Sequence, residues 1–490
     1  MKEPRLNAGF QSRAGDLLVS QAPALEAQRA SAYLARVPRD DARQDRLRPP
    51  SVTPPDAPLP YWHAVFKLLD NPIEAWPKAV YEEAHYLRGD ARQMFLYATD
   101  PAMLKDILLD RMAAFPKDWM FDRVTKPALG EGLLTAQGED WKWQRRAAAP
   151  AFRPDNVAAM TPVMSAAAEA ALCRWRDKGE GARLDIAAEM TAITFQVVLD
   201  TMLSGGEGID VPAAARRITD YLETLGKVTP ADLLRWPLWT RVALAPRGYR
   251  AMVYLKTMMD RMVARRRREA ARGDLVDLLM AAEDPESGRR MDDALLRDNL
   301  LTFIAAGHET TALALTWSLF LVGSHPPTAG RIRAEIAAVA GEDPITHAHV
   351  ERLAFTRQVV QEAMRLYPSL PLMSRMCVED VEAGGVKVPK GTFVFIPIYA
   401  IHRHRRLWPD PDAFDPDRFS PEASARRHRF AYLPFGGGPR VCIGQTFAMT
   451  EAVTVLATLV RGATLEPDPG HRIRPLVRVS MRPQGGLPMT

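Results

Sequence analysis

Cysteine is scarce: Cys173, Cys377 and Cys442 are three in 490 residues, an odd set that no disulfide framework uses and that points to a reducing, cytoplasmic setting. Long apolar runs are missing too. Nothing approaches the roughly 18 uninterrupted apolar residues of a membrane span, and the N-terminus lacks the apolar stretch of a secretory signal. An excess of one charge is nearly absent, since 64 Lys and Arg against 59 Asp and Glu leave +5, which gives no argument for nucleic acid. No fixed-period repeat occurs. What remains is an ordinary globular composition, 47% hydrophobic and 25% charged, which excludes disorder, collagen and coiled coil for the whole chain. At about 150 residues per domain the length allows about three domains, and one large helical unit fits equally well.

Residues 1–48 are rich in Arg and Ala, but Glu3, Asp16, Glu26, Asp40, Asp41 and Asp45 interrupt them, which argues against a transit peptide. They are read as an extension without an assigned role. The Pro-rich run from Pro49 to Pro60 cannot donate regular backbone hydrogen bonds, so an extended strap is expected there and a single domain over 49–490. Apolar spacings of three and four predict helices over Asp155–Cys173, Ile186–Leu203, Arg247–Arg272, Asp292–Val322, Thr328–Ala340 and Phe355–Tyr367. Strand signals are few: Val386–Val388, a turn at Pro389–Gly391 and Thr392–Ile396 read as a hairpin, and Val477–Met481 as another strand. The predicted fold class is mainly α with small β-sheets.

The most informative segment is Phe435-Gly436-Gly437-Gly438-Pro439-Arg440-Val441-Cys442-Ile443-Gly444, followed by an Ala-rich helical stretch from Gln445. Glycines around a lone cysteine let the backbone come close to something flat or bulky. A sulfur just before a helix N-terminus meets free N–H groups and the positive dipole end, which favours the thiolate. A phosphate cradle is the other reading of such a loop, but the Gly-Lys-Ser/Thr ending is absent and Pro439 removes a donor. Cys173 and Cys377 are expected to be small buried hydrophobes.

The joint pattern resembles the haem-binding loop of the cytochromes P450. Further segments resemble other P450 motifs in the expected order: Trp141-Lys142-Trp143-Gln144-Arg145, the oxygen-activation motif Ala306-Gly307-His308-Glu309-Thr310-Thr311, Glu362-Ala363-Met364-Arg365, and Asp415-Pro416-Asp417-Arg418-Phe419. The resemblance implies a P450 fold and haem b, with Cys442 as the axial iron ligand. It places Trp141, Arg145, Arg375 and Arg440 against the haem propionates, with Phe435 and Gly444 beside the sulfur. Glu309 and Thr310 are implied to deliver protons during oxygen activation. Glu362, Arg365 and Arg418 are implied to serve the fold, and Leu134, Ala306, Leu370, Leu372 and Val479 to line the pocket. Ala-Gly-His-Glu-Thr-Thr and Cys-Ile-Gly-Gln also look like the haem domains of bacterial fatty-acid hydroxylases.

Plain residue chemistry leaves alternatives. The Asp292–Val322 helix, about 46 Å long at 1.5 Å per residue, breaks local rules at Gly307 and Glu309–Thr311, as functional sites do; a threonine hydroxyl bonded one turn back is the simpler reading. Gln358, Gln361, Glu362 and Arg365 also fit a solvated face. His402 and His404 form a His-x-His, a weak zinc signal without a third ligand. The implied reaction is monooxygenation of a lipophilic substrate by dioxygen. About 48 residues follow Cys442, too few for a flavin or iron–sulfur domain, so electrons are expected from a ferredoxin or flavodoxin with its NAD(P)H-dependent reductase. Lys142, Arg146 and Arg426-Arg427-His428-Arg429 are the candidate docking cations. The stretch 211–272 is the expected lid. A partner-independent peroxygenase or isomerase, a haem-based gas or redox sensor and a cysteine hydrolase are the competing readings.

Overall fold

The structure, a computed structural model, describes residues 46–89, 93–203, 210–226, 229–233 and 235–490. The extension expected at 1–48 therefore lies, up to residue 45, outside the described residues. Contacts with the body already begin at Arg46, which pairs with Asp415 at 3.0 Å, and Arg48 reaches Asp410 at 2.8 Å. The proline-rich strap runs extended and is tied down by the Tyr367 hydroxyl, which donates to the Pro50 carbonyl at 2.7 Å.

Helices that frame the site are α1 (Trp119–Leu129), α2 (Gly138–Ala148), α3 (Pro154–Asp177), α4 (Ile186–Met202), α5 (Pro246–Arg266), α6 (Asp293–Gly323), α7 (Pro326–Val339), α8 (Ala354–Leu366) and α9 (Gln445–Gly462). Carboxylates cap several of them: Asp118 accepts from the Met120 and Phe121 N–H groups, and Asp292 from that of Leu295 at 2.7 Å. Helix α6 is apolar on most faces because it crosses the middle of the molecule, packed by α4, α5, α8 and α9. Helix α5 ends six residues before the spacing predicts. There Arg266, itself buried, pairs with Asp274 at 2.5 Å and Asp277 at 2.6 Å and draws the chain back on itself.

The main sheet has the order β1-β2-β7-β4, built from β1 (His85–Gly89), β2 (Met94–Ala98), β4 (Met373–Met376) and β7 (Phe393–Ile396). Strand β7 runs parallel to β2, with Phe95 opposite Phe393, and antiparallel to β4, with Arg375 opposite Val394. The expected hairpin of Val386–Val388 with Thr392–Ile396 does not form. Gly384 and Gly385, both at positive φ, turn β6 (Val386–Val388) back onto β5 (Val381–Ala383) instead, the two-residue turn that suits a hairpin. Nor is Val477–Met481 one strand: β8 (Pro475–Val477) and β9 (Met481–Pro483) pair across a tip at 478–480. Strands β3 (Leu184–Asp185) and β10 (Pro488–Met489) close the base of α4.

Candidate active site

The cysteine loop is pressed against the second apolar cluster of the protein, which includes Leu108, Phe430 and Leu433. Gly436 and Gly438 have φ of +75° and +69°. A Cβ on Gly438 would lie 1.9 Å from the Leu108 carbonyl oxygen, so only glycine fits there. The loop folds back on itself through the Cys442 N–H, which donates to the Phe435 carbonyl at 2.9 Å. Arg145 on α2 holds it from the other side, donating to the Val441 carbonyl at 2.8 Å. Cys442 is exposed although the loop around it is packed, so its sulfur faces open space. Crowding by the surrounding protein, which thins the water around the sulfur although the residue is reachable, pushes its thiol up, opposed by the Gly444 N–H and the Arg145 charge. The expected bias toward thiolate is thus outweighed in the chain itself, and a coordinating metal would have to supply the deprotonation. Cys377 is buried as expected, its Sγ donating to the Glu379 carbonyl at 3.0 Å, whereas Cys173 is exposed on α3.

Four cations converge beside this loop. Arg375 on β4 is 8% exposed and donates to the Ser374 carbonyl at 2.7 Å. Arg440 donates to the Ala136 carbonyl at 3.0 Å and lies over the Trp141 ring at 4.3 Å. Arg145 is the third. Lys117 is the fourth, a residue no motif pointed to; its Nζ donates to the Leu134 carbonyl. Among the described residues no carboxylate forms an ion pair with any of them. Desolvation pushes Arg375 down to about 10 against the pull of Asp118, and desolvation together with repulsion from neighbouring arginines pushes Arg440 down to about 10 and Lys117 to about 6. Partly desolvated arginines without an ion-paired carboxylate favour a bound anion, which would also bring Lys117 back to its charged form, and two carboxylates on a flat apolar body fit that requirement. The donor set therefore fits haem: a sulfur facing open space on one side and cations for propionates at the edge.

Helix α6 shows the complementary wall. Between the buried runs 298–304 and 311–322 lie an exposed Ala306 and a half-buried Thr310. The Thr310 hydroxyl does donate one turn back, to the Ala306 carbonyl at 2.7 Å, as the simpler reading supposed, yet it stays accessible. Glu309 accepts from the Ser480 hydroxyl at 2.7 Å and from Arg482. Of the expected pocket residues, Leu134, Leu370 and Val479 are 38 to 40% exposed, unusual for large aliphatic side chains on interior elements, and Leu372 is half-buried.

The chain matches the cytochrome P450 family model over residues 54–487. It belongs to the cytochrome P450 family. Cyclooctatin synthase of Streptomyces melanosporofaciens is 37% identical over 365 residues, 73% of this P450 and 77% of that protein. Cyclooctat-9-en-7-ol 5-monooxygenase of the same organism is 34% identical over 381 residues, 76% and 80% of the two chains. In three dimensions the crystal structure of the cytochrome P450DA heme domain superposes with a TM-score of 0.76 at 24% identity, over 90% of this P450 and 98% of that chain, a likeness of fold.

The remaining expectations sort clearly. Glu362 and Arg365 are fully buried, not a solvated face, with Nε to Oε2 at 2.6 Å, and Arg418 approaches Glu362 at 3.6 Å. His402 accepts from the Leu433 N–H at 2.8 Å, and burial pushes it down to about 3; His404 bonds the Glu83 carbonyl. Both are structural, and no metal-ligating cluster occurs among the described residues. His308 is buried against Ile304 and Phe195. Most of the candidate docking cations have partners within the chain, although Lys142 stays exposed. Lys142 pairs with Glu139, Arg146 with Asp284 and Glu286, and Arg427 stacks on Trp408 and Phe419, leaving Arg426 and Arg429 exposed. The lid region folds as the helices Val211–Glu223, Pro230–Leu233 and Leu238–Leu244 leading into α5; residues 227, 228 and 234 within it lie outside the described residues. No helix among the described residues is long and apolar enough to cross a membrane.

Proposed function

We propose that this P450 is a haem b monooxygenase of a lipophilic small molecule, acting in the cytoplasm with electrons from a separate ferredoxin or flavodoxin system. The observation that carries the proposal is the pairing of an accessible Cys442 with the basic side chains Lys117, Arg145, Arg375 and Arg440, none of which forms an ion pair among the described residues. Cys442 would hold the iron, the four cations and Trp141 the propionates, and Phe435 and Gly444 would pack beside the sulfur. When bound, thiolate-ligated haem supplies the electron transfer and O–O cleavage by which one oxygen atom of O2 enters a C–H or π bond and the other leaves as water.

The protein's own work is to bind, exclude water and move protons. Leu134, Ala306, Leu370, Leu372 and Val479 offer an aliphatic surface, which selects by shape and hydrophobic contact. The relatives' names, cyclooctatin synthase and cyclooctat-9-en-7-ol 5-monooxygenase, favour a compact cyclic lipophile over a long-chain one. Glu309 and Thr310 are consecutive on α6 and both half-buried, and on this reading a proton taken up at the Glu309 carboxyl would be relayed to the Thr310 hydroxyl once the carboxyl group turns toward it. Glu362, Arg365 and Arg418 fix the segment preceding the cysteine loop.

The test is an absorbance spectrum of the dithionite-reduced, CO-treated protein. A Soret band strongly shifted to the red, lost in Cys442→His, is expected; a colourless protein after haem supplementation would overturn the assignment. Product formation with peroxide but none with reduced ferredoxin would turn the reading into a peroxygenase.

A further inference from the structure

Three consecutive residues at the β8–β9 tip connect the pocket wall to both proposed proton carriers. Val479, one of the proposed pocket residues, is 40% exposed. Ser480, itself 4% exposed, donates its hydroxyl to Glu309 Oε1 at 2.7 Å. The Met481 N–H donates to the Ser369 carbonyl at 3.0 Å, and the Ser369 hydroxyl donates to the Thr310 carbonyl at 2.7 Å. Leu370, the neighbour of Ser369, is another pocket residue. Beyond the tip, Arg482 Nη2 reaches the same Glu309 oxygen and the Ser480 hydroxyl at 3.2 Å. Its Nε is buried and makes no hydrogen bond, so the guanidinium grips Glu309 by one arm only.

Oε1 of Glu309 therefore receives two donors and is held as an acceptor. To carry a proton toward Thr310 the carboxyl group has to turn away from the β8–β9 hairpin, which requires that these donors let go. Among the described residues His308, on the same helix and turned into the core, is a further titratable neighbour. The β8–β9 hairpin that supplies both donors, Ser480 from its tip and Arg482 from β9, is also the element a bound lipophile would push at Val479.

Resting on the reading of Glu309 and Thr310 as proton carriers, we propose that Ser480 and Arg482 are positioning residues that latch Glu309 while the pocket is empty, and that displacement of Val479 by substrate releases the latch. The latch would then suppress the wasteful reaction in which two electrons from NADPH and two protons reduce O2 to hydrogen peroxide. A charge-assisted hydrogen bond is strong enough to bias such an equilibrium about tenfold or more.

The experiment compares NADPH oxidation and peroxide release by substrate-free holoenzyme, supplied with ferredoxin and ferredoxin reductase, in Arg482→Gln, Arg482→Lys, Ser480→Ala and the double variant Glu309→Gln with Arg482→Gln. Arg482→Gln is expected to raise the leak about tenfold, Ser480→Ala less, Arg482→Lys little. Infrared spectra of the same proteins, with or without reductase, should show the ion-paired carboxylate band, assigned by Glu309→Gln, shifting in Arg482→Gln and retained in Arg482→Lys. An unchanged leak in Arg482→Gln overturns the latch whatever the infrared band does. A raised leak that persists in the double variant instead overturns the proton-carrier reading, because the protons then bypass Glu309.

Discussion

Arg365 has five N–H donors and uses all of them. Nε and Nη2 bind the two Glu362 oxygens at 2.6 and 2.7 Å, Nη1 binds the carbonyls of His402 and Pro411 at 2.9 and 2.7 Å, and Nη2 binds that of Ala413 at 3.0 Å. The side chain is fully buried, so no water replaces a lost partner. Lysine at this position brings three donors on a single nitrogen, which leaves at least two buried acceptors unpaired. At about 1–3 kcal/mol per orphaned group, Arg365→Lys should destabilise by about 2–6 kcal/mol, a large share of the roughly 5–15 kcal/mol that holds a typical domain together.

A second variant separates two explanations. If charge pairing were the main role, removing both charges in Glu362→Gln with Arg365→Met would recover most of the loss, since a buried pair exchanged for neutral groups is often neutral in effect. If the carbonyls of the 402–413 segment are what matter, that double variant orphans three of them, and it also weakens the hold of Glu362 on the Asp415 N–H, now 2.9 Å. We expect the double variant to be no more stable than Arg365→Lys. Urea unfolding of the haem-loaded protein, followed by far-UV circular dichroism and Soret absorbance, gives the midpoints. An Arg365→Lys midpoint indistinguishable from wild type, or a double variant more stable than it, would refute the reasoning.

Other outcomes follow from the site. Gly438→Ala places a methyl group against the Leu108 carbonyl at a φ of +69°, so haem-binding protein should fall sharply, with apoprotein as the main product in a haem titration. Thr310→Ala should lower product formed per NADPH with any lipophile that gives a substrate-induced spin-state shift; an unchanged ratio counts against a proton role. Lys117, held down to about 6 by desolvation and by Arg440 and Arg375, is largely neutral in the haem-free fold above that pH but charged in the unfolded chain up to about 10.4. The unfolded state binds more protons across that window, so apoprotein stability should rise with pH there, and Lys117→Met should flatten the slope. An anionic propionate beside Lys117 favours its charged form, so haem binding near pH 8 should take up protons, seen by calorimetry in buffers of different ionisation enthalpy and lost in Lys117→Met.

What the sequence disclosed depends on how local the cause was. Helices α4, α6 and α8 came from apolar spacing alone, because each buries a continuous apolar face. The cysteine loop was readable because its physical demands, positive φ at Gly436 and Gly438 and close approach to Leu108, leave glycine as the only solution and so mark the text. The β6–β7 hairpin failed for the converse reason: the Pro389–Gly391 turn looked sufficient, while the decisive turn was Gly384-Gly385, and β7's true partners, β2 and β4, are remote in the chain. Lys117, Ser369, Ser480 and Arg482 left no signal, since an isolated lysine or serine has many uses and acquires this one only when distant segments meet. Arg365 shows the same limit from inside a recognised motif. Its pairing with Glu362 was legible from a spacing of three, but the three carbonyl partners at 402, 411 and 413, on which we expect most of its contribution to rest, belong to a segment whose path no local pattern prescribes. A motif names the residues, and tertiary structure decides which of their atoms matter.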